Sequence, residues 1–121
     1  HYNLDSFSDE RGIFCEFLKT KDSGQISFFT AKAGVTRGQH YHHTKNEKFL
    51  ILKGSARFKF MNILNNDQHE IESDDTKMQV IETIPGWAHN ITNIGSETLI
   101  VMLWANEVFD PLLPDTIAEE L

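Results

Sequence analysis

The stretch Gly34–Gly54, "GVTRGQHYHHTKNEKFLILKG", places three histidines within four positions, just ahead of an apolar run. His40 and His42 are two residues apart, and on a β-strand that spacing points both side chains to the same face. Glu47 follows after a short break, where the apolar run begins. His43 has the opposite parity, so we expect it to point outward. The stretch therefore predicts adjacent strands that carry a cluster of ligand side chains.

A fourth histidine, His89, comes after "PGWA" at the head of a later apolar run. Three neutral imidazoles and one carboxylate suit a first-row divalent cation. The alternative to a metal site is the ordinary interpretation, in which each histidine is a surface or core residue. Clustering alone leaves the two interpretations evenly balanced. The remaining histidines lie in polar surroundings and are expected in solvent: His1 and His69.

Strand patterns dominate the rest of the chain. Runs rich in Val, Ile, Phe, Thr and Leu predict strands over 13–19, 25–32, 47–53, 56–63, 78–84, 88–94 and 97–105. The last run, "ETLIVMLWA", is apolar throughout, which is typical of a strand covered on both faces. Turn residues separate the runs. Many short strands joined by turns predict a sandwich or barrel of antiparallel sheets.

Two segments carry other patterns. Residues 65–77 are polar and are predicted to form a hairpin tip or a mobile loop. The end of the chain, "PDTIAEEL", is the one stretch with a helical pattern, and Asp115 or Thr116 would cap a short helical turn there.

The composition argues against several classes of protein. The 121 residues suit one domain with one core, and 40 % of them are hydrophobic. The net charge is −7 and Lys and Arg form no long run, which argues against nucleic-acid binding. No apolar stretch reaches membrane-spanning length, and no secretory signal is visible. The single cysteine, Cys15, excludes an internal disulfide, is expected to be buried and fits a reducing compartment, so we expect a cytoplasmic location.

The spacing of the opening stretch resembles a known family. Gly34, five residues, His40, one residue, His42, four residues, Glu47, six residues, Gly54 is similar at every position to the first motif of the cupin superfamily. That resemblance implies an all-β jelly-roll barrel, with a short C-terminal helix at most.

Residues 85–93 resemble the second cupin motif. Pro85 and Gly86 are followed by His89 and then Asn93, but the proline adjoins the glycine and the opening glycine of the motif falls at Met78. Neither of these two differences from the motif affects a position that binds the metal. The resemblance implies that four side chains bind the metal: His40, His42, Glu47 and His89.

A finer resemblance covers nearly the whole chain. "DERGIFCEF", "IPGWAHNITNIG" and "LWANEVFDPLLPDT" are similar to the C-terminal cupin domain of the bifunctional capsule enzymes that make UDP-N-acetyl-L-fucosamine. The resemblance implies metal-dependent C3 epimerisation of a UDP-4-keto-6-deoxy-HexNAc sugar, followed by NADPH reduction in an N-terminal dehydrogenase domain. Residues 1–121 would then be a single cupin domain from a longer chain, as the start at His1 also suggests. Zinc is the expected metal, with iron, manganese and nickel as alternatives, and a homodimer is expected.

"RGQHY", residues 37–41, also resembles a stretch of the dTDP-4-keto-sugar epimerases. That resemblance implies that His40 is the base and that Arg37 contacts the substrate. His40 cannot be ligand and base through one nitrogen, so both roles stay open. The tyrosine acid of that family has no clear counterpart in Tyr2 or Tyr41, and the proton donor is unassigned.

Two rival functions remain at this point. The same ligand set would bind Fe(II) in an oxygen-using cupin dioxygenase, or the metal could stabilise a non-catalytic dimerisation module. Trp87 is expected either to stack on a ligand or to cover the barrel mouth. Five apolar side chains are expected in the core, or as walls of the site: Phe49, Ile51, Phe58, Phe60 and Trp104.

Overall fold

A computed structural model describes residues 1–121 and contains eleven β-strands and no helix. The strands are β1 Ser6–Asp9, β2 Gly12–Lys19, β3 Gln25–Ala31, β4 Thr36–Tyr41, β5 Glu47–Lys53, β6 Ser55–Asn62, β7 Gln68–Asp74, β8 Val80–Thr83, β9 Trp87–Asn93, β10 Leu99–Ala105 and β11 Ile117–Ala118. One sheet has the order β1-β2-β3-β10-β5-β8 and the other β11-β4-β9-β6-β7, and every pairing is antiparallel. No element is a helix with the length and apolar character needed to span a membrane.

The core lies between the two sheets. Side chains alternate between the inner and outer faces of each strand, so every second residue is buried in β3, β5 and β10. The inner faces form one apolar cluster: Phe29, Ala31, Phe49, Ile51, Ala56, Phe58, Phe60, Ile81, Ile91, Leu99, Val101 and Leu103. The predicted all-β architecture is confirmed, and four of the five apolar side chains singled out above belong to this core.

All seven predicted strands are present within two residues at each end. The seven predicted runs did not include four of the strands, namely β1, β4, β7 and β11. The prediction of a hairpin tip or a mobile loop over 65–77 holds only for residues 65–67, at the tip of the β6–β7 hairpin, and was wrong for Gln68–Asp74, which pairs with β6 along its whole length. This strand is polar because it lies at the edge of its sheet with one face in solvent, a setting that favours charged side chains.

The predicted C-terminal helix was also wrong. Ile117 and Ala118 instead form a short strand that pairs with Tyr41 and His40 in β4. Asp115 caps no helix: its carboxylate accepts hydrogen bonds from backbone amides of the loop after β4. The tail is therefore part of the five-stranded sheet.

Strand β10 is central in its sheet but is not covered on both faces. Its inner residues are buried, whereas Met102 on the outer face is 36 % exposed. Trp104 shares that outer face and is not a wall of the site; its Nε1 donates to the carbonyl of Ser23 at 3.1 Å. The outer face of the six-stranded sheet is thus apolar, with no layer of this chain over it.

Strand β4 contains a β-bulge between Gly38 and His40. Gly38 and Gln39 both have positive φ, at 96° and 63°. A Cβ at Gly38 would lie 2.9 Å from the carbonyl oxygen of His89, so only glycine fits there. Gln39 is the extra residue, and its side-chain oxygen accepts hydrogen bonds from Asn90 and from the backbone of Leu121.

Candidate metal centre

Four side chains from three strands and one loop meet inside the barrel. His40 comes from β4, His42 from the loop after it, Glu47 from the start of β5 and His89 from β9. Each can offer one ligand atom, and these atoms lie within 4.8 Å of one another. The structure therefore brings together the four residues that the sequence nominated.

His42 is fixed through both ring nitrogens. Its Nε2 lies 2.9 Å from Oε1 of Glu47, and its Nδ1 donates to the main-chain carbonyl of Asp115. Burial acts to lower the pKa of His42, but the hydrogen bond and charge of Glu47, with the Asp115 carbonyl, raise it. A cation held by His42 and Glu47 would replace this contact between Nε2 and Oε1. A hydrogen bond from the second nitrogen to a carbonyl is the usual arrangement of a metal-binding histidine.

Glu47 is the single negative charge of the cluster. It is 7 % exposed, and Oε1 also lies 3.5 Å from Nε2 of His89. Burial alone would raise the pKa of Glu47, yet the hydrogen bond from His42 and the neighbouring histidines lower it. The pKa of His89 is lowered, chiefly by burial, so this ring is neutral with a free lone pair. A buried carboxylate among imidazoles is stable only with a positive partner.

His40 packs against both other histidines of the cluster. Its ring centroid lies 4.9 Å from that of His42 and 4.7 Å from that of His89. Burial, followed by the charges of those two rings, lowers the pKa of His40 to about 4. Such a group is neutral at physiological pH and is a weak proton acceptor, whereas its lone pair suits coordination.

These residues fit a divalent first-row cation. Bonds of about 2.0–2.2 Å to nitrogen and oxygen place tetrahedral ligand atoms about 3.4 Å apart, a spacing compatible with a cluster spanning 4.8 Å. His42, Glu47 and His89 would hold the cation, with His40 as a fourth ligand. Three imidazoles and a carboxylate suit zinc, iron or nickel, so the donor set alone does not select one metal.

Two adjoining pockets, called lobes below, lie beside the cluster and share part of their lining, namely Phe14, His40, Glu47 and Leu103. The larger lobe measures about 360 Å³ and the smaller about 170 Å³, and both are lined by His40 and Glu47. His42 lines only the larger lobe and His89 only the smaller. A ligand that fills both lobes would therefore pass directly over the cluster.

The larger lobe contains polar residues that the sequence interpretation missed. Glu16 and Ser27 are paired across β2 and β3, and Gln25 follows on the same inner face. Gln25 donates from Nε2 to Oγ of Ser27 at 2.9 Å and accepts from the backbone of Phe109 at 3.0 Å. Polar side chains at inner positions of "QISFFTA" interrupt an otherwise apolar face, and that break in the pattern was the available signal.

Glu16 is the only carboxylate among these three side chains, and Glu47 and Glu107 also line the lobe. Oε2 of Glu16 is buried and accepts no well-aligned hydrogen bond, although Nζ of Lys19 lies 3.1 Å away. Lys45, also missed, is buried in the same lobe, with Nζ 5.5 Å from the ring centroid of Phe109 and no carboxylate within ion-pair distance. An acid–base group and an ammonium thus share a lobe with His40 and His42.

The smaller lobe contains two arginines. Arg37 is half-buried, lies 5.2 Å from the ring centroid of Phe29 and donates to the carbonyl of Thr30 at 3.2 Å. Arg11 lines the same lobe and is held by the carboxylate of Asp9. Burial, followed by the charge of Arg11, lowers the pKa of Arg37. Two neighbouring guanidiniums form a site that an anion would stabilise.

The remaining candidates lie outside the cavity. The His43 side chain is 66 % exposed and points outward as predicted, and both His1 and His69 are exposed. Neither tyrosine lines the cavity. Trp87 packs against the core and does not reach either lobe, so the geometry gives no support to stacking on a ligand bound there.

Comparison with known proteins places the chain in a family. The model of the polysaccharide biosynthesis C-terminal domain matches residues 7–117. A UDP-2-acetamido-2,6-beta-L-arabino-hexul-4-ose reductase of Pseudomonas aeruginosa is 60 % identical over 117 residues, which are 97 % of this chain and 32 % of that protein. The chain therefore spans about a third of the length of this relative.

Solved structures agree with this match. The capsular polysaccharide assembling protein CapF of Staphylococcus aureus superimposes with a TM-score of 0.97 at 40 % identity, over all of this chain and 35 % of that one. An oxalate decarboxylase of Lactobacillus farciminis aligns with a TM-score of 0.79 at 18 % identity, over 95 % of this chain and 33 % of that one, which shows the fold alone. The fold is the cupin jelly roll, and the chain belongs to the polysaccharide biosynthesis C-terminal domain family.

Proposed function

We propose that this chain is a sugar-nucleotide epimerase domain that inverts C3 of a UDP-4-keto-6-deoxy-HexNAc sugar during capsular polysaccharide synthesis. The observation that carries the proposal is the buried cluster of His40, His42, Glu47 and His89 at the junction of two cavity lobes. A hydrogen beside a ketone is acidic enough to be removed near neutral pH only when the enolate oxygen is stabilised. A cation held by this cluster would supply that stabilisation as a Lewis acid.

The side chains of the larger lobe carry the proton transfer in this proposal. His40 completes the ligand set, since its lone pair points into the cluster and its pKa of about 4 makes it a poor base. Glu16, on the opposite sheet, accepts the C3 proton, because its carboxylate lies in the same lobe and Oε2, although 3.1 Å from Nζ of Lys19, accepts no well-aligned hydrogen bond. Glu16 takes the proton from C3 as the enolate forms, a proton from solvent then adds to the other face of C3, and Glu16 returns its proton to solvent. Lys45 provides a positive charge for the anionic oxygen in the same lobe.

The smaller lobe is proposed to hold the diphosphate of the substrate. Arg37, assigned to substrate binding on resemblance alone, lies there beside Arg11. Guanidinium groups bind phosphate oxygens through paired hydrogen bonds. The sugar would then lie across the cluster with C3 in the larger lobe.

The test follows solvent deuterium into C3 of the 4-keto UDP-sugar, using the 121-residue chain reconstituted with zinc. We expect exchange with the loaded wild type, and loss of both zinc binding and exchange with Glu47→Gln and His89→Ala. His69→Ala, at an exposed histidine, is the matched control and should behave as wild type. Undiminished exchange by the metal-stripped wild type would reject metal catalysis.

Metal analysis of the purified chain tests the dioxygenase alternative. Iron together with oxygen-dependent turnover would favour that alternative, whereas zinc would exclude it because zinc has no redox chemistry. A folded dimer that binds metal but exchanges no proton would favour the non-catalytic module instead.

The proposal includes two partners. An N-terminal dehydrogenase domain that uses NADPH would reduce the epimerised sugar, in keeping with the match to only 32 % of a relative described as a reductase. A second copy of the chain would cover the apolar outer face of the six-stranded sheet, where Leu52, Val80 and Met102 are exposed. The cytoplasmic location expected from the single cysteine stays a prediction.

A further inference from the structure

The C-terminal segment, residues 106–121, connects the two sheets. It leaves β10 in the six-stranded sheet and ends as β11 beside β4 in the five-stranded sheet. Phe109 and Thr116 of this segment line the larger lobe of the cavity. Asp115 lies just before β11, where the segment meets the loop 42–47 that joins His42 to Glu47.

The carboxylate of Asp115 binds three consecutive amides of that loop. Oδ1 accepts from the backbone of His43 at 2.9 Å, and Oδ2 accepts from Thr44 at 2.7 Å and Lys45 at 3.0 Å. The hydroxyl of Thr44 adds a fourth donor at 3.1 Å. Hydrogen bonds to an ionised acceptor are the strong ones, so this single side chain fixes the conformation of the loop.

The main chain of the same residue fixes a ligand directly. The carbonyl oxygen of Asp115 accepts a hydrogen bond from Nδ1 of His42, which leaves Nε2 turned toward Glu47 at 2.9 Å. The Asp115 carboxylate therefore holds the C-terminal segment against the 42–47 loop, and the Asp115 carbonyl orients the imidazole ring of His42. A side chain 73 residues away in sequence and a proposed ligand act as one unit.

We propose that Asp115 is a positioning residue for the cation site, through its hold on the 42–47 loop and on the His42 ring. The inference rests on the metal site proposed above. Hydrogen-bond partners of metal ligands typically contribute 10- to 100-fold in affinity. Removal of the Asp115 carboxylate should therefore weaken cation binding by about that factor while the barrel stays folded, because the hydrogen bonds that the carboxylate accepts come from residues 43–45 of the loop and not from the apolar core.

The test compares the zinc affinity of Asp115→Ala with that of wild type and of Asp110→Ala, by competition with a chromophoric chelator at fixed pH. Asp110 is the matched control: it lies in the same segment and is exposed, and its carboxylate accepts only from the backbone of Leu112 at 2.9 Å. We expect a loss of about 10- to 100-fold for Asp115→Ala and less than twofold for Asp110→Ala. The visible spectrum of the cobalt-substituted Asp115→Ala protein should also differ from wild type, a change that general destabilisation would not produce.

Wild-type zinc affinity and an unchanged cobalt spectrum in Asp115→Ala would overturn the inference. Should that variant fail to fold, Asp115→Asn keeps one acceptor oxygen without the charge and should lie between the two in affinity; affinity equal to wild type would again overturn it. A wild-type chain that binds no divalent cation would overturn the metal site and this inference together. A wild-type chain that binds zinc but exchanges no proton at C3 would overturn the epimerase proposal alone.

Discussion

The backbone amide of Gly86 donates a hydrogen bond to the carbonyl of His42 at 2.9 Å. Gly86 has a φ of 80° and lies at the end of the turn that leads into β9, which carries His89. The turn before one histidine is thus bonded to the loop that holds another. The two cupin motifs, Gly34–Gly54 and residues 85–93, therefore meet through the backbone as well as through their ligand side chains.

Glu16→Gln should abolish proton exchange while leaving metal binding intact. The amide keeps the shape of the side chain but cannot accept the C3 proton, and general acid–base groups typically contribute 10²- to 10⁴-fold. We expect at least about a 100-fold lower rate of deuterium incorporation at C3, with zinc affinity within about twofold of wild type. Glu70→Gln, on the exposed edge strand, is the control. Exchange at the wild-type rate would remove Glu16 from the mechanism.

Arg37→Met should weaken substrate binding more than it slows chemistry. The substitution removes one of the two guanidiniums in the smaller lobe and with it the proposed contacts to the diphosphate. Because these contacts are equally strong in the ground state and in the transition state, we expect KM to rise about tenfold and kcat to change little. Arg57→Met is the matched control, since Arg57 lies on β6 and pairs with Glu70 and Glu72 away from the cavity. An unchanged KM for Arg37→Met would place the diphosphate elsewhere.

The metal-free protein should lose stability as the pH falls from 6.5 toward 4. The pKa of His40 is about 4 in the fold and 6.5 in the unfolded chain, so unfolding takes up a proton between these values. The contribution of His40 to the free energy of unfolding is complete above pH 6.5, declines below it and is lost near pH 4, by at most about 3 kcal/mol. Chemical denaturation across this range, compared with His40→Gln, measures the effect. Equal pH slopes for the two proteins would contradict it.

Asn93→Ala should destabilise the barrel without touching the metal centre. Its Nδ2 donates to the carbonyls of Ala31 and Glu97, and its Oδ1 accepts from the backbone of Gly95, all in a buried position. Alanine leaves these groups without partners, at a cost of about 2–4 kcal/mol in the free energy of unfolding. Urea denaturation measures this. Asn65→Ala, at an exposed turn, should cost less than about 1 kcal/mol.

Met102→Lys should convert the proposed dimer into a monomer. A charge at the centre of the apolar outer face of the six-stranded sheet would be buried without a partner in a dimer that uses this face. Sedimentation of wild type and variant gives the molecular mass directly, and Lys59→Met on the other sheet serves as control. A wild-type monomer, or a dimer that survives Met102→Lys, would assign this face to another partner.

The sequence predicted those features of the fold that depend on residues close to one another in the chain. The strand period revealed seven strands, whereas clustering left the metal interpretation evenly balanced and the resemblance to the cupin motifs supplied the ligand set His40, His42, Glu47 and His89. The C-terminal tail was misread because its helical pattern is weak and its partners lie in β4, which no local pattern can show. Edge strand β7 was missed because strands at an edge carry polar residues for protection rather than an alternating pattern.

The polar residues that line the larger lobe were not predicted from the sequence, for a different reason. Glu16, Gln25 and Ser27 occupy inner positions of correctly predicted strands, but assigning them to a binding site requires knowing that β2 and β3 face the histidines across the barrel. That knowledge depends on the packing of two sheets. Lys45 was missed likewise, since only the fold reveals that it is buried and unpaired.

The bulge in β4 determines which side chains can share the cavity. Arg37 and His40 are three residues apart, and on a regular strand they would point to opposite faces. The extra residue, Gln39, resets the alternation, so that both line the smaller lobe. One inserted residue therefore lets a single strand present an anion-binding group, Arg37, and a metal-binding group, His40, to the same ligand. Deletion of Gln39 would turn these two side chains to opposite faces of the strand, although neither Arg37 nor His40 had been changed.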